Sequence, residues 1–150
     1  MRKTISIVIP VFNEEENLRE FYTRLTKVMS EVSYDYDIIF VDDGSRDASS
    51  AILYDLSQND EHVQAYLLSR NFGHQMALTC GLDHAEGDAV ITMDGDLQHP
   101  PELIPELLGL WEAGYEIVQT VRKDTADASK FKKITSSTYY KVINKMSKVH

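Results

Sequence analysis

Two kinds of apolar pattern alternate along the chain. Short, continuous and largely β-branched runs at 5–10, 36–41, 63–68 and 89–93 lack a polar face, which predicts strands buried on both sides of a parallel sheet. Between them, apolar residues recur at three- and four-residue steps, and this spacing predicts helices at 18–32, 73–85 and 101–113. A fourth helix, capped by Ser45 or Asp47, ends near Gln58, and a fifth strand covers 115–121. The alternation predicts an α/β fold with right-handed crossovers.

Three polar clusters follow the predicted strands, at 10–14, 41–45 and 94–98. Ligands of an open parallel sheet bind beyond the carboxyl ends of its strands, so these clusters are expected to meet at one edge. Each cluster alone is typical of a turn or of solvated acids. Together they crowd several carboxylates, which is costly unless a cation or a hydrogen-bonding ligand offsets the repulsion. The sequence therefore predicts a ligand site at this edge.

The third cluster has the character of a metal site. The carboxylates of Asp94 and Asp96 and the carboxamide of Gln98 stand at alternating positions, and Gly95 is expected to let the backbone turn. Such oxygen ligands suit Mg²⁺ or Mn²⁺ and leave positions open for phosphate oxygens. The chain has no glycine-rich phosphate loop. We therefore expect a metal ion to hold the diphosphate of a nucleotide, with Asp43 as an acceptor for a ring N–H of its base.

Composition fits one globular domain with a genuine core. The chain has 150 residues, of which 43% are apolar, and its net charge of −9 argues against a nucleic-acid partner. The single cysteine, Cys80, allows no internal disulfide and is expected to be a buried packing residue in a reducing compartment. No signal peptide and no run of membrane-spanning length is evident.

Charge divides the chain into two parts. Residues 1–128 contain all 24 acidic residues and carry a net charge of −15, whereas 129–150 carry six lysines and no acid. The polar segment 123–129 is expected to be a mobile loop. The basic segment has a helical apolar stripe, which suits binding to an anionic membrane or packing on its own domain equally well. Its apolar face also offers a surface for homo-oligomers, formed by Phe131, Ile134, Val142 and Met146.

Four motifs in order, at 6–15, 41–47, 70–73 and 87–100, resemble glycosyltransferase family 2. The form Asp94-Gly95-Asp96-Leu97-Gln98-His99-Pro100 is similar to the polyprenyl-phosphate branch of that family, which includes dolichyl-phosphate mannose synthases and undecaprenyl-phosphate glycosyltransferases. The resemblance covers about residues 4–146. It implies a Rossmann-like GT-A nucleotide-diphospho-sugar transferase fold, with a mainly parallel sheet flanked by helices.

The resemblance also implies roles for individual residues. Asp94 and Asp96 would be catalytic, and Asp96 with Gln98 would hold the Mg²⁺ or Mn²⁺ ion. The donor-binding residues would be Pro10, Phe12, Glu14, Asp43 and Asp94. The residues that receive the acceptor phosphate would be Arg122, Lys132, Lys133 and Ser136.

The implied reaction is an inverting, metal-dependent hexosyl transfer. A sugar would move from a UDP- or GDP-sugar to polyprenyl phosphate, on the cytoplasmic side of the cell membrane. Family members extend beyond this point in the fold, so the chain is expected to be a fragment that continues past His150. Two alternatives remain: a family 2 enzyme acting on a soluble glycan, and a receiver-type phosphoacceptor domain that uses Asp42, Asp43 and Asp94. A receiver domain is disfavoured because it would carry its acidic pair after the first strand, whereas Asp42 and Asp43 follow the second predicted strand.

Overall fold

The computed structural model describes residues 2–120, and those up to Glu116 belong to one compact unit. Strands and helices alternate as the sequence predicts. The strands are β1 (Thr4–Val11), β2 (Asp35–Asp42), β3 (Val63–Leu67) and β4 (Ala89–Thr92). The helices are α1 (Leu18–Glu31), α2 (Ser49–Asn59), α3 (His74–Asp83) and α4 (Ile104–Glu112), and a 3₁₀-helix, Pro101–Leu103, precedes α4.

All the strand pairs in the described residues are parallel, in the order β3-β2-β1-β4. The chain builds the sheet outward from β1 through β2 to β3, and then returns to place β4 on the other side of β1. This reversal opens a crevice between the carboxyl ends of β1 and β4. Such a switch point is where open α/β sheets bind their ligands.

The sheet is covered on both faces, which explains its continuous apolar strands. Ile5, Ile7 and Ile9 of β1 are fully buried in the core that also contains Phe21 and Leu25 of α1. On the other face Val8 packs with Ala77 of α3. A Cβ at Gly81 would lie 2.3 Å from Val8 Cγ1, so only glycine lets α3 approach β1 this closely.

The start of α2 differs from the sequence-based expectation. The helix begins at Ser49 with Ala48 in the cap position. Asp47 still satisfies an end of the helix, because its Oδ1 accepts the Ser49 N–H at 2.9 Å. Ser45 does not cap the helix, since its hydroxyl donates to Asp42 instead.

The predicted fifth strand is wrong for the residues that the structure describes. Positions 115–120 have no strand pairing. Gly114, at φ +99°, ends the helix in a left-handed turn, and the Tyr115 N–H donates to Leu110 O at 3.3 Å. The first residue of the expected strand is thus committed to the end of α4.

Several predictions lie outside the described residues and stay predictions: the loop at 123–129, the basic helix at 129–150, and the acceptor residues Arg122, Lys132, Lys133 and Ser136. Between residues 2 and 120, no helix combines the length and the apolar character needed to cross a bilayer. Cys80 in α3 is half-buried and packs against the buried cluster of Val8, Ile39, Val41 and Ala77. Burial raises the pKa of its thiol.

Candidate functional site

The crevice at the switch point is a cavity of about 550 Å³. It is lined by every residue of the predicted donor-binding set and by Asp96. Its walls come from the carboxyl ends of all four strands, as expected for a site at this edge of the sheet. The lining residues are Pro10, Val11, Phe12, Glu14, Asp43, Asn71, Gly73, His74, Ala77, Asp94, Gly95 and Asp96.

The loops after β1 and β2 are joined by hydrogen bonds between backbone and side chains. The Asn13 N–H donates to Ser45 Oγ at 2.9 Å, and Asn13 Oδ1 accepts the Arg46 N–H at 2.8 Å. The Glu14 N–H donates to Oγ of the fully buried Ser49 at 2.9 Å. Asn13 has a φ of +55°, a left-handed conformation that asparagine tolerates. These bonds fix the backbone on both sides of the position from which Glu14 reaches the crevice.

Asp42 is a structural residue of this site. Only 1% of it is exposed. Its carboxylate accepts the Ser45 N–H at 3.1 Å, the Ser45 hydroxyl, and the Ser50 hydroxyl at 2.5 Å. Because its oxygens are occupied by the loop that follows β2, Asp42 stabilises the shape of that loop.

Asp43 has a different set of partners. It is 3% exposed and lines the crevice. Its Oδ1 accepts the Phe72 N–H at 2.7 Å, and its Oδ2 accepts the Gly73 N–H at 2.9 Å. Since each carboxylate oxygen can accept two hydrogen bonds, Asp43 retains capacity for a ligand N–H. The residue predicted to bind a base therefore also holds the loop after β3 in place.

The loop after β3 contributes the part of the site that sequence reasoning missed. Asn71, Gly73, His74 and Ala77 all line the crevice. The motif at 70–73 was recognised by its resemblance, but no function followed from it. The signal that could have identified these residues is positional, because they follow the carboxyl end of β3 and begin α3.

The loop after β4 turns differently from the expectation. Gly95 has no positive φ; the left-handed residue is Leu97, at φ +60°. The Gln98 N–H donates to Asp96 Oδ1 at 2.9 Å, which fixes that carboxylate. Asp94 and Asp96 both line the cavity, whereas Gln98 does not. The carboxylate of Asp94 lies between two imidazoles, with His74 Nε2 3.8 Å from Oδ1 and His99 Nδ1 3.4 Å from Oδ2.

The oxygen atoms of this crevice fit a hard divalent cation. Among residues 2–120, four of the side chains that line it are carboxylates, and none is lysine or arginine. Among residues 2–120, no three His, Cys, Asp or Glu side chains are grouped closely enough to hold a metal by themselves. Mg²⁺ commonly binds to one or two carboxylates and completes its coordination with substrate phosphates and water. Asp94 and Asp96 suit that arrangement.

The sequence matches the family described as glycosyl transferase family 2 over residues 6–149. It is 44% identical over 144 residues to the uncharacterized glycosyltransferase YkcC of Bacillus subtilis, covering 96% of this chain and 45% of that protein. It is 43% identical over 143 residues to a prophage bactoprenol glucosyl transferase homolog of Escherichia coli, covering 95% of this chain and 47% of the relative. The chain thus spans about half the length of the curated relatives that it matches.

Solved structures share the fold. A mannosyltransferase from Pyrobaculum calidifontis, in complex with GDP-Man and Mn²⁺, superposes with a TM-score of 0.65 at 20% identity, over 82% of this chain and 36% of that one. Staphylococcus aureus TarS 1-349 in complex with UDP-GlcNAc gives a TM-score of 0.59 at 18% identity, over 81% and 39% of the two chains. The fold is the predicted GT-A type, a parallel sheet flanked by helices.

Proposed function

The chain belongs to glycosyl transferase family 2, and we propose that it carries the donor-binding site of an inverting, metal-dependent glycosyltransferase. The donor is a UDP- or GDP-sugar, and the acceptor is a polyprenyl phosphate at the cytoplasmic face of the membrane. The observation that carries the proposal is the convergence of Pro10, Glu14, Asp43, Asp94 and Asp96 on one crevice of about 550 Å³. A cavity of that size suits a nucleotide sugar.

The residues divide the crevice by chemistry. Asp43 accepts a ring N–H of the base, while Pro10 and Phe12 contact the nucleoside. Phe12 is 42% exposed, which leaves much of its ring free for such a contact. Asp94 accepts from the ribose hydroxyls or borders the metal. Asp96, its orientation fixed by the Gln98 N–H, would hold the Mg²⁺ or Mn²⁺ ion. The Gln98 carboxamide lies outside the crevice lining and would have to turn inward to become a further ligand.

The proposed reaction is a single displacement at the anomeric carbon. An acceptor phosphate oxygen forms the new bond while the bond to the nucleoside diphosphate breaks, so the anomeric configuration inverts. The divalent ion, when bound, stabilises the charge that develops on the departing diphosphate. A phosphate monoester is already ionised near neutral pH, so this chain needs no strong general base. In this proposal Arg122, Lys132, Lys133 and Ser136 receive the acceptor phosphate.

The choice of acceptor is supported by relatives rather than by the described residues. Proteins named bactoprenol glucosyl transferase, from Shigella phage SfV and others, are 43% identical to this chain over 143 residues. A soluble glycan is the second candidate acceptor. The two are separated by a radiolabelled transfer assay that offers either short-chain polyprenyl phosphate or an oligosaccharide. We expect the labelled product to be the lipid; labelled oligosaccharide would favour the soluble acceptor.

The receiver-domain alternative does not fit. It would require Asp42 and Asp43 to bind a metal, but the oxygens of Asp42 are occupied by Ser45 and Ser50. Membership in a transferase family gives the same answer.

The decisive test is metal-dependent binding of nucleoside diphosphate. Titration calorimetry with UDP or GDP and Mn²⁺ should show binding that EDTA abolishes. Asp96→Ala should weaken it at least about tenfold, or roughly 1.4 kcal/mol. The matched control is Asp83→Ala, which removes the same charge from the far end of α3 and should bind as the parent does. Equal affinity with and without metal would refute the proposal.

A further inference from the structure

The loop between β3 and α3 is held at the crevice by two hydrogen bonds and by the close approach of Gly44. Its backbone N–H groups at Phe72 and Gly73 donate to the two oxygens of Asp43. A Cβ at Gly44 would lie 2.4 Å from the carbonyl carbon of Arg70, so the turn after β2 touches the loop backbone directly. These contacts fix the chain immediately before the first residue of α3.

That first residue, His74, lines the crevice and faces Asp94. Its Nε2 lies 3.8 Å from Asp94 Oδ1. The other oxygen of the same carboxylate has His99 Nδ1 at 3.4 Å. Among residues 2–120, the other acids of the crevice repel Asp94, whereas the two imidazoles lie beside its two oxygens and can present an N–H to them.

The two histidines differ in what they can do for Asp94. His99 is five residues further along the same loop, so it moves with Asp94. His74 comes from another loop, which is attached to Asp43. Hydrogen bonds therefore link Asp43 to the Phe72 and Gly73 backbone directly before His74, and the His74 imidazole lies 3.8 Å from the Asp94 carboxylate. Asp43 and Asp94 are the residues proposed to contact the base and the ribose of the donor.

We infer that His74 is a positioning residue: it orients the Asp94 carboxylate relative to Asp43 and so sets the spacing between the base end and the ribose end of the donor site. The inference rests on the proposed function, and it assigns His74 no bond to the donor itself. A positioning residue acts only through its partner. Removing His74 should therefore matter while Asp94 is present and should not matter once Asp94 is gone.

A double-mutant cycle on the full 150-residue chain tests this. Calorimetry with UDP or GDP and Mn²⁺ measures the affinity of the parent, His74→Ala, Asp94→Ala and the double variant. We expect His74→Ala to weaken binding about fivefold, a loss typical of one polar contact. The double variant should bind no more weakly than Asp94→Ala alone. His74→Gln, which retains an N–H donor near the position of Nε2, should recover most of the affinity.

The control is His84→Ala, which removes an imidazole from the C-terminal end of α3 and should leave affinity unchanged. Losses that add in the double variant would overturn the inference, as would unchanged affinity in His74→Ala. A lower melting temperature in both His74 variants, with no recovery of affinity in His74→Gln, would show a structural role and also overturn it. If the parent itself binds no nucleoside diphosphate, the proposed function fails first, so the two failures are distinguishable.

Discussion

At the scale of single residues, Asp42 and Asp43 show how neighbours of one type acquire different tasks. Successive side chains of a strand point to opposite faces. Asp42, the last residue of β2, accordingly accepts hydrogen bonds from its own loop, and Asp43 reaches the loop after β3. Both are nearly fully buried. Burial of an acid is tolerated in each case because N–H or O–H donors surround the carboxylate.

The first residue-scale prediction concerns Asp43. Asp43→Ala leaves the partly buried N–H groups of Phe72 and Gly73 without their acceptor, so we expect it to lower the free energy of unfolding by about 2 kcal/mol. Urea denaturation measures this loss. Nucleotide affinity, measured at a temperature where the variant is folded, should fall by roughly 1 to 3 kcal/mol.

Asp43→Asn is the matched variant, since it keeps one carbonyl acceptor and should lose less stability than Asp43→Ala. An Asp43→Ala protein as stable as the parent would contradict the role of the two hydrogen bonds. A variant that loses stability and keeps its nucleotide affinity would show that Asp43 is only a structural residue.

The residue scale also marks what the sequence could and could not predict. Asp43, Asp94 and Asp96 were identifiable because acids after apolar strands are conspicuous and gather at one sheet edge. The bonds between Asp43 and the Phe72 and Gly73 backbone were not, because they join residues about 30 positions apart. His74 was missed for the same reason, since its partner Asp94 belongs to another loop.

At the scale of elements, the turn after β2 and the loop after β3 behave as one piece. Gly44 has a φ of +69°. A Cβ on this residue would lie 2.4 Å from the carbonyl carbon of Arg70 and 2.6 Å from the backbone nitrogen of Asn71. A side chain there would meet both a strained conformation and a backbone clash. The two motifs at 41–47 and 70–73, which resemble the family separately, therefore contact each other in the fold.

Gly44→Ala should destabilise the protein by at least about 2 kcal/mol, from the left-handed backbone and the overpacking together. The matched control is Gly109→Ala in α4, where a Cβ meets nothing within 4 Å. That change should stabilise the protein by about 0.5 to 1 kcal/mol, since alanine favours a helix interior. Thermal denaturation of both variants decides the matter; similar melting temperatures would disprove the close contact.

A second element-scale prediction concerns the 3₁₀-helix Pro101–Leu103, which follows the loop after β4. Glu102 in this helix accepts two hydrogen bonds from Arg24 of α1, at 2.9 and 2.7 Å. These bonds lower the pKa of Glu102 to about 2. Because the folded pKa lies below the unfolded value of about 4.3, the contact stabilises the fold above that value and is lost as pH falls toward 2.

The loss is measurable as a decline of melting temperature with acidification. Glu102→Gln should show a smaller decline between about pH 5 and pH 2 than the parent, because it has no such carboxylate to protonate. Glu106→Gln, an equivalent change at an exposed position of α4, should keep the decline of the parent. An exposed ion pair contributes little to stability. Because salt screens exposed charges, high salt should reduce the difference in decline between Glu102→Gln and the parent. Identical profiles for all three proteins would contradict it.

At the scale of the whole molecule, strand and helix positions were predictable, whereas the fifth strand was not. Strands such as β1 are apolar on both faces because helices cover both faces of the sheet, and this signal is visible in the sequence. The residues at 115–120 are also partly apolar and β-branched, but Tyr115 is committed to the end of α4. The apolar pattern does not show that a residue suited to a strand is used instead in the hydrogen bonds that end the preceding helix. The order β3-β2-β1-β4 likewise depends on contacts between distant segments.

That strand order gives the crevice two sides of unequal firmness. β1 pairs with β2 over eight residues on the side of Asp43, but with β4 over only four on the side of Asp94 and Asp96. Local opening favours the shorter ladder. Amide hydrogen exchange should therefore be faster in β4 than in β2, and Mn²⁺ with nucleoside diphosphate should slow it mainly in β4. Equal protection of the two strands would contradict this. If exchange in β4 is the faster and is slowed by the ligand, the base binds beside a strand that is already rigid. The diphosphate binds beside a strand that becomes rigid only when the donor is bound.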